Sequence, residues 1–241
     1  MIPAAVEYVR PSTIDEALEL LAEPDAKVIA GGHSLLPLMK FRLARPALLV
    51  DVDGFDLRGV SVDGEALRIG ALTTYDDLLS LDDSVSLPAA LRDCAASVGD
   101  VQVRNAGTVG GALAHGDPAS DFAAGTIAVG ATFVLRSPSG TRKVAAEQFF
   151  VGPFTTLLEQ QELLVEVRVP VVCEPSSYVS FDDPASGYPL AGAAVCGAVI
   201  GLSGVGARPL RAPDDLAELG LDDYRRQLVS VAIERARRAA R

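Results

Sequence analysis

Cysteine and histidine are scarce in this 241-residue chain, which has three of the first and two of the second. Cys94, Cys173 and Cys196 lie far apart and form no Cys-x-x-Cys pair. An iron–sulfur cluster normally takes four thiolates at close spacing, so the chain carries none by itself. The same scatter argues against a disulfide framework, and each cysteine is expected to be a buried small apolar residue. Two histidines exclude a multi-histidine metal centre. A two-histidine site through His33 and His115 stays open, beside the plainer reading of both as loop residues capping backbone carbonyls. Basic residues are also short. The net charge is −11, without the basic stripe that a nucleic-acid surface needs. The exception is Arg235, Arg237, Arg238 and Arg241, read as cations at the end of a last helix. No uncharged apolar run reaches the roughly 18 residues of a membrane span. The longest, Leu190 to Val205, is rich in Gly and Ala and reads as buried strands. Met1 to Arg10 has no signal-peptide core, so a cytoplasmic protein is expected. No G-x-G-x-x-G follows a strand, and there is no Walker loop, no G-x-S-x-G elbow and no protein-kinase set.

What remains is a chain with 49% apolar residues, long enough for one large domain or two to three small ones. Val6–Val9 alternates as a strand. Thr13-x-x-Glu16 reads as a capping box opening a helix with Ile14, Ala17, Leu18 and Leu21 on one face. Strands are expected at 27–30, 47–52, 59–62, 66–70, 131–136, 141–144, 162–169, 178–181 and within 190–202. Helices are expected at 35–43, 74–81, 88–98, 120–129 and 223–241, the last with Tyr224, Leu228, Val231 and Ala232 inward. Residues 112–117 read as irregular, and Cys173 to Ser177 as a linker. Strands and helices mix without strict βαβ alternation, so the class is α+β.

Two glycine pairs organise the functional reading. Lys27-Val28-Ile29-Ala30-Gly31-Gly32-His33-Ser34-Leu35 is a short strand running into adjacent glycines and then a helix start. Such a loop bares successive backbone N–H groups and suits an anion, usually phosphate. Gly107-Thr108-Val109-Gly110-Gly111 is read as a second loop of the same kind. Paired nests offset the charges of a pyrophosphate without Lys or Arg. Asp117 and Asp121 follow, and a carboxylate past a phosphate loop can accept hydrogen bonds from ribose hydroxyls. Structural roles compete: Asp117 as a turn cap before Pro118, and Asp121 in the first turn of a helix.

At these loops the sequence resembles the FAD-binding medium subunits of molybdenum hydroxylases, the group that includes the medium chain of aerobic carbon monoxide dehydrogenase and, more distantly, the xanthine dehydrogenase flavin domain. The resemblance rests on Ala30 to Lys40 and Gln102 to Gly111, in order, with Ile2-Pro3, Tyr8-x-Arg10-Pro11, Gly116-Asp117-Pro118 with Asp121, and the strand ending at Pro170. It implies a two-subdomain, PCMH-type FAD-binding fold over 1–56 and 57–172 and a small α/β C-terminal domain over 173–241. It implies that Lys27, Val28, Ile29, Ala30, Gly31, Gly32, His33, Ser34 and Leu35 wrap the FAD pyrophosphate, and that Thr108, Gly110, Gly111 and the neighbouring Ala112 complete the cradle. Asp121 would hold the ribose, and Leu164 and Tyr188 would lie by the flavin ring. The partners implied are a molybdenum-cofactor large subunit and a [2Fe–2S] small subunit, with electrons passing through FAD to an external acceptor. No catalytic base and no metal ligand is assigned to this chain.

Three departures from the family pattern stand out. Ala112 replaces a usual Asn, removing one side-chain hydrogen bond. Asp182-Asp183-Pro184-Ala185 stands where a basic segment is usual. The C-terminal domain looks short between Pro209 and Tyr224. Two alternatives therefore stay open: a stand-alone FAD-dependent oxidoreductase, in which His33 could carry covalent flavin, and a flavin-free remnant.

Overall fold

The computed structural model describes residues 2–82, 84–171 and 174–241. Cys173 and the expected boundary beside it lie outside the described residues. The chain opens with β1 (Glu7–Val9), α1 (Ile14–Leu20), β2 (Ala26–Ile29), α2 (Leu35–Lys40) and β3 (Leu48–Asp51). The strands form a parallel sheet in the order β1-β3-β2, with Val9 and Val28 both opposite Val50. Thr13 caps α1 by accepting the Glu16 N–H at 3.1 Å. The capping box is shifted, because Glu16 Oε2 accepts from the N–H and hydroxyl of Ser12 rather than from the cap residue. Ala17, Leu18 and Leu21 bury against Leu48, Val50 and Val52. Helix α2 stops short of the expected Leu43. Arg42 adopts a left-handed φ of 59°, and the N–H groups of Leu43 and Ala44 turn back to Leu38 O.

The middle of the chain holds β4 (Val60–Asp63), β5 (Ala66–Gly70), α3 (Tyr75–Leu79), α4 (Ala89–Ser97), α5 (Val101–Ala106), α6 (Val109–His115) and α7 (Asp121–Ala128). It continues with β6 (Thr132–Ser137), β7 (Gly140–Ala145), α8 (Ala146–Phe149), β8 (Phe150–Gly152), β9 (Thr155–Thr156) and β10 (Leu163–Pro170). An antiparallel sheet runs β4-β5-β10-β6-β7. Its helical cover converges on one core in which α7 is buried from Phe122 to Ala128. Phe133, Phe149 and Phe150 meet edge to face there, with ring centroids 4.8 to 6.2 Å apart. One expectation is corrected: residues 112–117 are not irregular, since α6 runs to His115. Thr108 supplies the reason, accepting the Gly111 N–H at 3.2 Å as the helix N-cap.

The remainder comprises β11 (Ser176–Asp182), β12 (Pro189–Cys196), β13 (Val199–Ser203), β14 (Leu210–Arg211), a 3-10 turn at Leu216–Leu219 and α9 (Asp223–Ala239). Ser176 and Ser177 belong to β11 rather than to a linker. Ser177 Oγ donates to Ala236 O, tying the strand to α9. The buried face of α9 is Val229, Ala232, Ile233 and Ala236, while Tyr224 is 67% exposed; the sheet meets the helix nearer its C-terminal half than the periodicity implied. Arg235 stacks on Phe181 at 5.0 Å and Arg241 pairs with Asp93, so the terminal arginines also fasten this unit. Cys94 is buried as expected, whereas Cys196 is partly exposed, its thiol donating to Glu174 O. Among the described residues no helix is long and apolar enough to cross a membrane.

Candidate functional site

The first glycine pair lies where β2 leaves its sheet. Gly32 takes a φ of +73°, which L side chains rarely adopt, and its carbonyl accepts the Leu36 N–H to start α2. Gly31 packs so closely on the end of α5 that a Cβ would sit inside the Ala106 carbonyl oxygen. Among the described residues the N–H groups of Gly31, Gly32, His33 and Ser34 have no protein acceptor. A run of unspent donors on a backbone locked by close packing has the donor chemistry that an anion nest needs.

The second glycine pair behaves differently. Val109 N–H donates to Thr73 O at 2.9 Å and Gly110 N–H to Ala71 O at 2.8 Å, and Gly111 N–H goes to the Thr108 cap. These donors are spent inside the protein. The glycines serve close approach instead, since a Cβ on Gly110 would meet Ala71 O at 2.8 Å. They leave the face of α6 bare towards an apolar, solvent-open cleft. Val28, Ala30 and Val52 form one wall of it. Leu57, Ala71 and Leu72 continue it, and Gly110, Gly111, Ala114 and Glu162 to Leu164 form the other side. The cleft thus joins the parallel sheet, with its glycine turn, to α6 and the start of β10.

Several expected residues converge on this cleft: Val28, Ala30, Gly110, Gly111 and Leu164 line it, and Gly31 to Leu35 follow Ala30 in the chain without lining it. His33 and Ser34 are exposed on that turn. Strand alternation sends Lys27 and Ile29 away from Val28 and Ala30, and Lys27 is exposed. Thr108 is buried as a cap, and Ala112 packs against the main core. Tyr188 lies in the β11–β12 turn, more than half exposed; partial burial and Asp117 raise its phenol. Asp117 caps its own turn through the Ala119 N–H at 2.9 Å. His115 sits 5.1 Å from the Phe154 ring, and burial lowers its imidazole.

Asp121 opens α7 and accepts hydrogen bonds from Tyr178 and, at 3.0 Å, from Ser97. Burial is the largest influence on its carboxyl, which rises to about 6 even though both hydroxyls pull it down. Sequence reading missed one residue pair at the cleft. Glu162 is nearly sealed from solvent and receives two bonds of 2.7 Å from Arg142, which also reaches Leu157 O at 2.7 Å. Burial pushes the Glu162 carboxyl upward, but the Arg142 hydrogen bonds and charge outweigh it and leave it lowered. Twenty residues separate the pair, and no local pattern signals it.

The arrangement fits FAD: an apolar slot for a flat ring system and, on the turn that follows Ala30, open N–H groups for a pyrophosphate. Comparisons with known proteins agree. Residues 4–172 match the family described as FAD binding domain in molybdopterin dehydrogenase. The carbon monoxide dehydrogenase medium chain of Hydrogenophaga pseudoflava is 45% identical over 181 residues, 74% of this chain and 63% of that one. The glyceraldehyde dehydrogenase medium chain of Sulfolobus acidocaldarius is 41% identical over 174 residues, 71% of this chain and 62% of that one. The chain therefore aligns with less than two thirds of the length of these relatives. A solved carbon monoxide dehydrogenase from Hydrogenophaga pseudoflava lacking the Mo-pyranopterin moiety superposes with a TM-score of 0.91 at 36% identity, over 100% of this chain and 98% of that one. The chain belongs to the FAD-binding domain family of the molybdopterin dehydrogenases.

Proposed function

We propose that this chain is the electron-transfer flavoprotein subunit of a molybdenum hydroxylase-type dehydrogenase. The cleft and the turn beside it carry the reading: Ala30 lines an apolar slot that reaches Leu164, and the residues that follow it, Gly31 to Ser34, keep open donors. When bound, FAD would supply the redox chemistry that links iron–sulfur clusters to an external acceptor. The residues of this chain bind and orient it. The 30–35 turn takes the pyrophosphate, with Lys27 at the outer end of the same strand. Gly110 and Gly111 leave room beside α6, which Thr108 and Ala112 anchor. Asp121 takes the ribose, and Leu164 and Tyr188 flank the ring. No group here removes a proton from the substrate, which would be oxidised on the partner.

The partners are a molybdenum-cofactor large subunit and a [2Fe–2S] small subunit, and the assembly works in the cytoplasm. A division of the chain into 1–56, 57–172 and 173–241 is supported by the sheets, none of which crosses these bounds, although the apolar clusters do, Leu72 and Leu163 packing with the first part and Tyr178 and Ala194 with the second. The freshly purified protein should show a two-band flavin spectrum, release its flavin on acid precipitation and co-purify with a cluster-bearing partner. A colourless protein that refuses added FAD would overturn the assignment, as would one that never associates with such partners.

A further inference from the structure

The Asp121 carboxylate is held by hydroxyls from two distant parts of the fold. Tyr178, in β11 of the C-terminal sheet, donates to Oδ1, and Ser97, at the end of α4, shares its one hydroxyl proton between Asp121 Oδ2 at 3.0 Å and Cys94 O at 2.8 Å. The Tyr178 hydroxyl also lies 3.3 Å from Ser203 Oγ of β13. A Cβ on Gly192 of β12 would collide with both of these oxygens, so the sheet carries a glycine where the two hydroxyls need space. Next to the pair, the Gly204 N–H donates to Pro118 O at 2.9 Å, fastening the turn that leads into α7. Tyr178 and Ser203 are buried, whereas Asp121 is only partly so. A carboxylate has about four lone-pair directions. Two are taken by these hydroxyls, and the rest remain for a ligand.

We propose that Tyr178 is a positioning residue for the cofactor: its hydroxyl, together with Ser97, fixes the Asp121 carboxylate in the orientation that accepts hydrogen bonds from the FAD ribose. This rests on the assignment of Asp121 to the ribose. It makes the C-terminal sheet a determinant of cofactor affinity, although the cleft itself is built from the two preceding sheets and α6.

The electrostatics give the proposal a signature. Burial raises the Asp121 carboxyl to about 6, the Tyr178 and Ser97 hydroxyls oppose the rise, and Asp182 and Asp117 add to it. The other groups facing it are the Cys94 thiol and the Tyr75 and Tyr178 phenols, all pushed up by burial, and Asp93, which pairs with Arg241. Removing a donor hydroxyl therefore shifts the titration of Asp121 upward, an effect that mere packing damage would not produce.

The test is FAD binding to the full apo chain, followed by flavin fluorescence from about pH 5 to 8, for wild type, Tyr178→Phe, Ser97→Ala and Asp121→Asn. Wild-type affinity should fall as pH drops through about 6. Tyr178→Phe should raise Kd roughly tenfold at pH 8, as expected for one lost hydrogen bond to a charged group, and move the transition to higher pH. Ser97→Ala should move both readouts the same way, and it carries the test if Tyr178→Phe does not fold. Asp121→Asn should bind weakly at every pH, without the transition. If Asp121→Asn is weak but both hydroxyl variants match wild type in Kd and in transition, the positioning role is refuted. If Asp121→Asn binds like wild type, the ribose assignment fails first.

Discussion

Gly31 faces the tightest backbone approach in the cleft, with the Ala106 carbonyl where a Cβ would be. Gly31→Ala can be relieved only by moving α5 or the turn, a strain of roughly 1–3 kcal/mol or more. It should lower Tm by several degrees and abolish measurable FAD affinity. Gly64→Ala is the matched control. Gly64 has φ +61° in the β4–β5 turn with nothing within 4 Å, so the cost is about 1 kcal/mol of left-handed strain and FAD affinity is unchanged. Asp121 makes a different kind of statement. Its carboxyl rises from 3.8 to about 6, so the native state holds that proton more tightly than the unfolded chain does. Folding stability therefore declines as pH rises from about 4 to about 6 and is then level. Apo Asp121→Asn should be more stable than wild type above pH 6, by roughly 1–2 kcal/mol after allowing for its partial exposure and disturbed hydrogen bonds. The gap should close below about pH 4, and thermal melts at pH 8 and pH 4 check it. The sequence could reveal that Asp121 follows a glycine pair, but not that a tyrosine 57 positions away bonds to it. That contact depends on how the last sheet docks.

At the scale of elements, local rules worked where one chain segment decides the outcome. The Thr13 and Thr74 caps, the Asp63–Ala66 hairpin turn and the buried face of α1 all depend on neighbours in sequence. They failed at α6, because Gly-Thr-Val-Gly-Gly has the composition of a nest and also of a capped helix start. The choice is made by Ala71 and Thr73, whose carbonyls take the Val109 and Gly110 N–H groups. They failed again for the pair formed by Arg142 of β7 and Glu162, the residue just before β10. Glu162 has 2% side-chain exposure and Arg142 has 42%, so cutting the arginine leaves a buried, unpaired carboxylate at the cleft wall. Arg142→Met should cost roughly 2–4 kcal/mol, below the range for fully sealed pairs because the guanidinium is part-exposed. Adding Glu162→Leu should recover most of it, and urea melts of both single variants and the double close the cycle. A double variant no more stable than Arg142→Met alone would mean that Arg142 acts through Leu157 O rather than through the carboxylate.

For the whole molecule, the cleft is a seam. One wall belongs to the β1-β3-β2 unit and the other to α6 and β10, and the two units also share the Gly31–Ala106 contact, the Gln161 side-chain bond to Leu18 O at 3.2 Å, the packing of Leu72 and Leu163 on the Leu18–Val50 cluster, and the Arg136–Asp15 pair at 3.0 Å. A surface ion pair of that kind is worth about 1 kcal/mol or less. The first unit is small, with a cluster built on Leu18, Val50 and their neighbours, and so is the part least able to stand alone. A ligand filling the seam touches both walls and is lost when either unfolds, so its binding energy is added to the weaker unit. At a free FAD concentration 100 times Kd the added stability is about 2.7 kcal/mol. For a chain of this size that amounts to about 5–10 °C in Tm. Calorimetry of apo protein should resolve an early transition from the first unit ahead of the main one. With FAD in excess the early transition should move upward and merge with the main one into a single peak. Two separate transitions that keep their spacing at saturating FAD would mean that the cofactor is held by one wall only. In that case the 30–35 turn could not be part of its site.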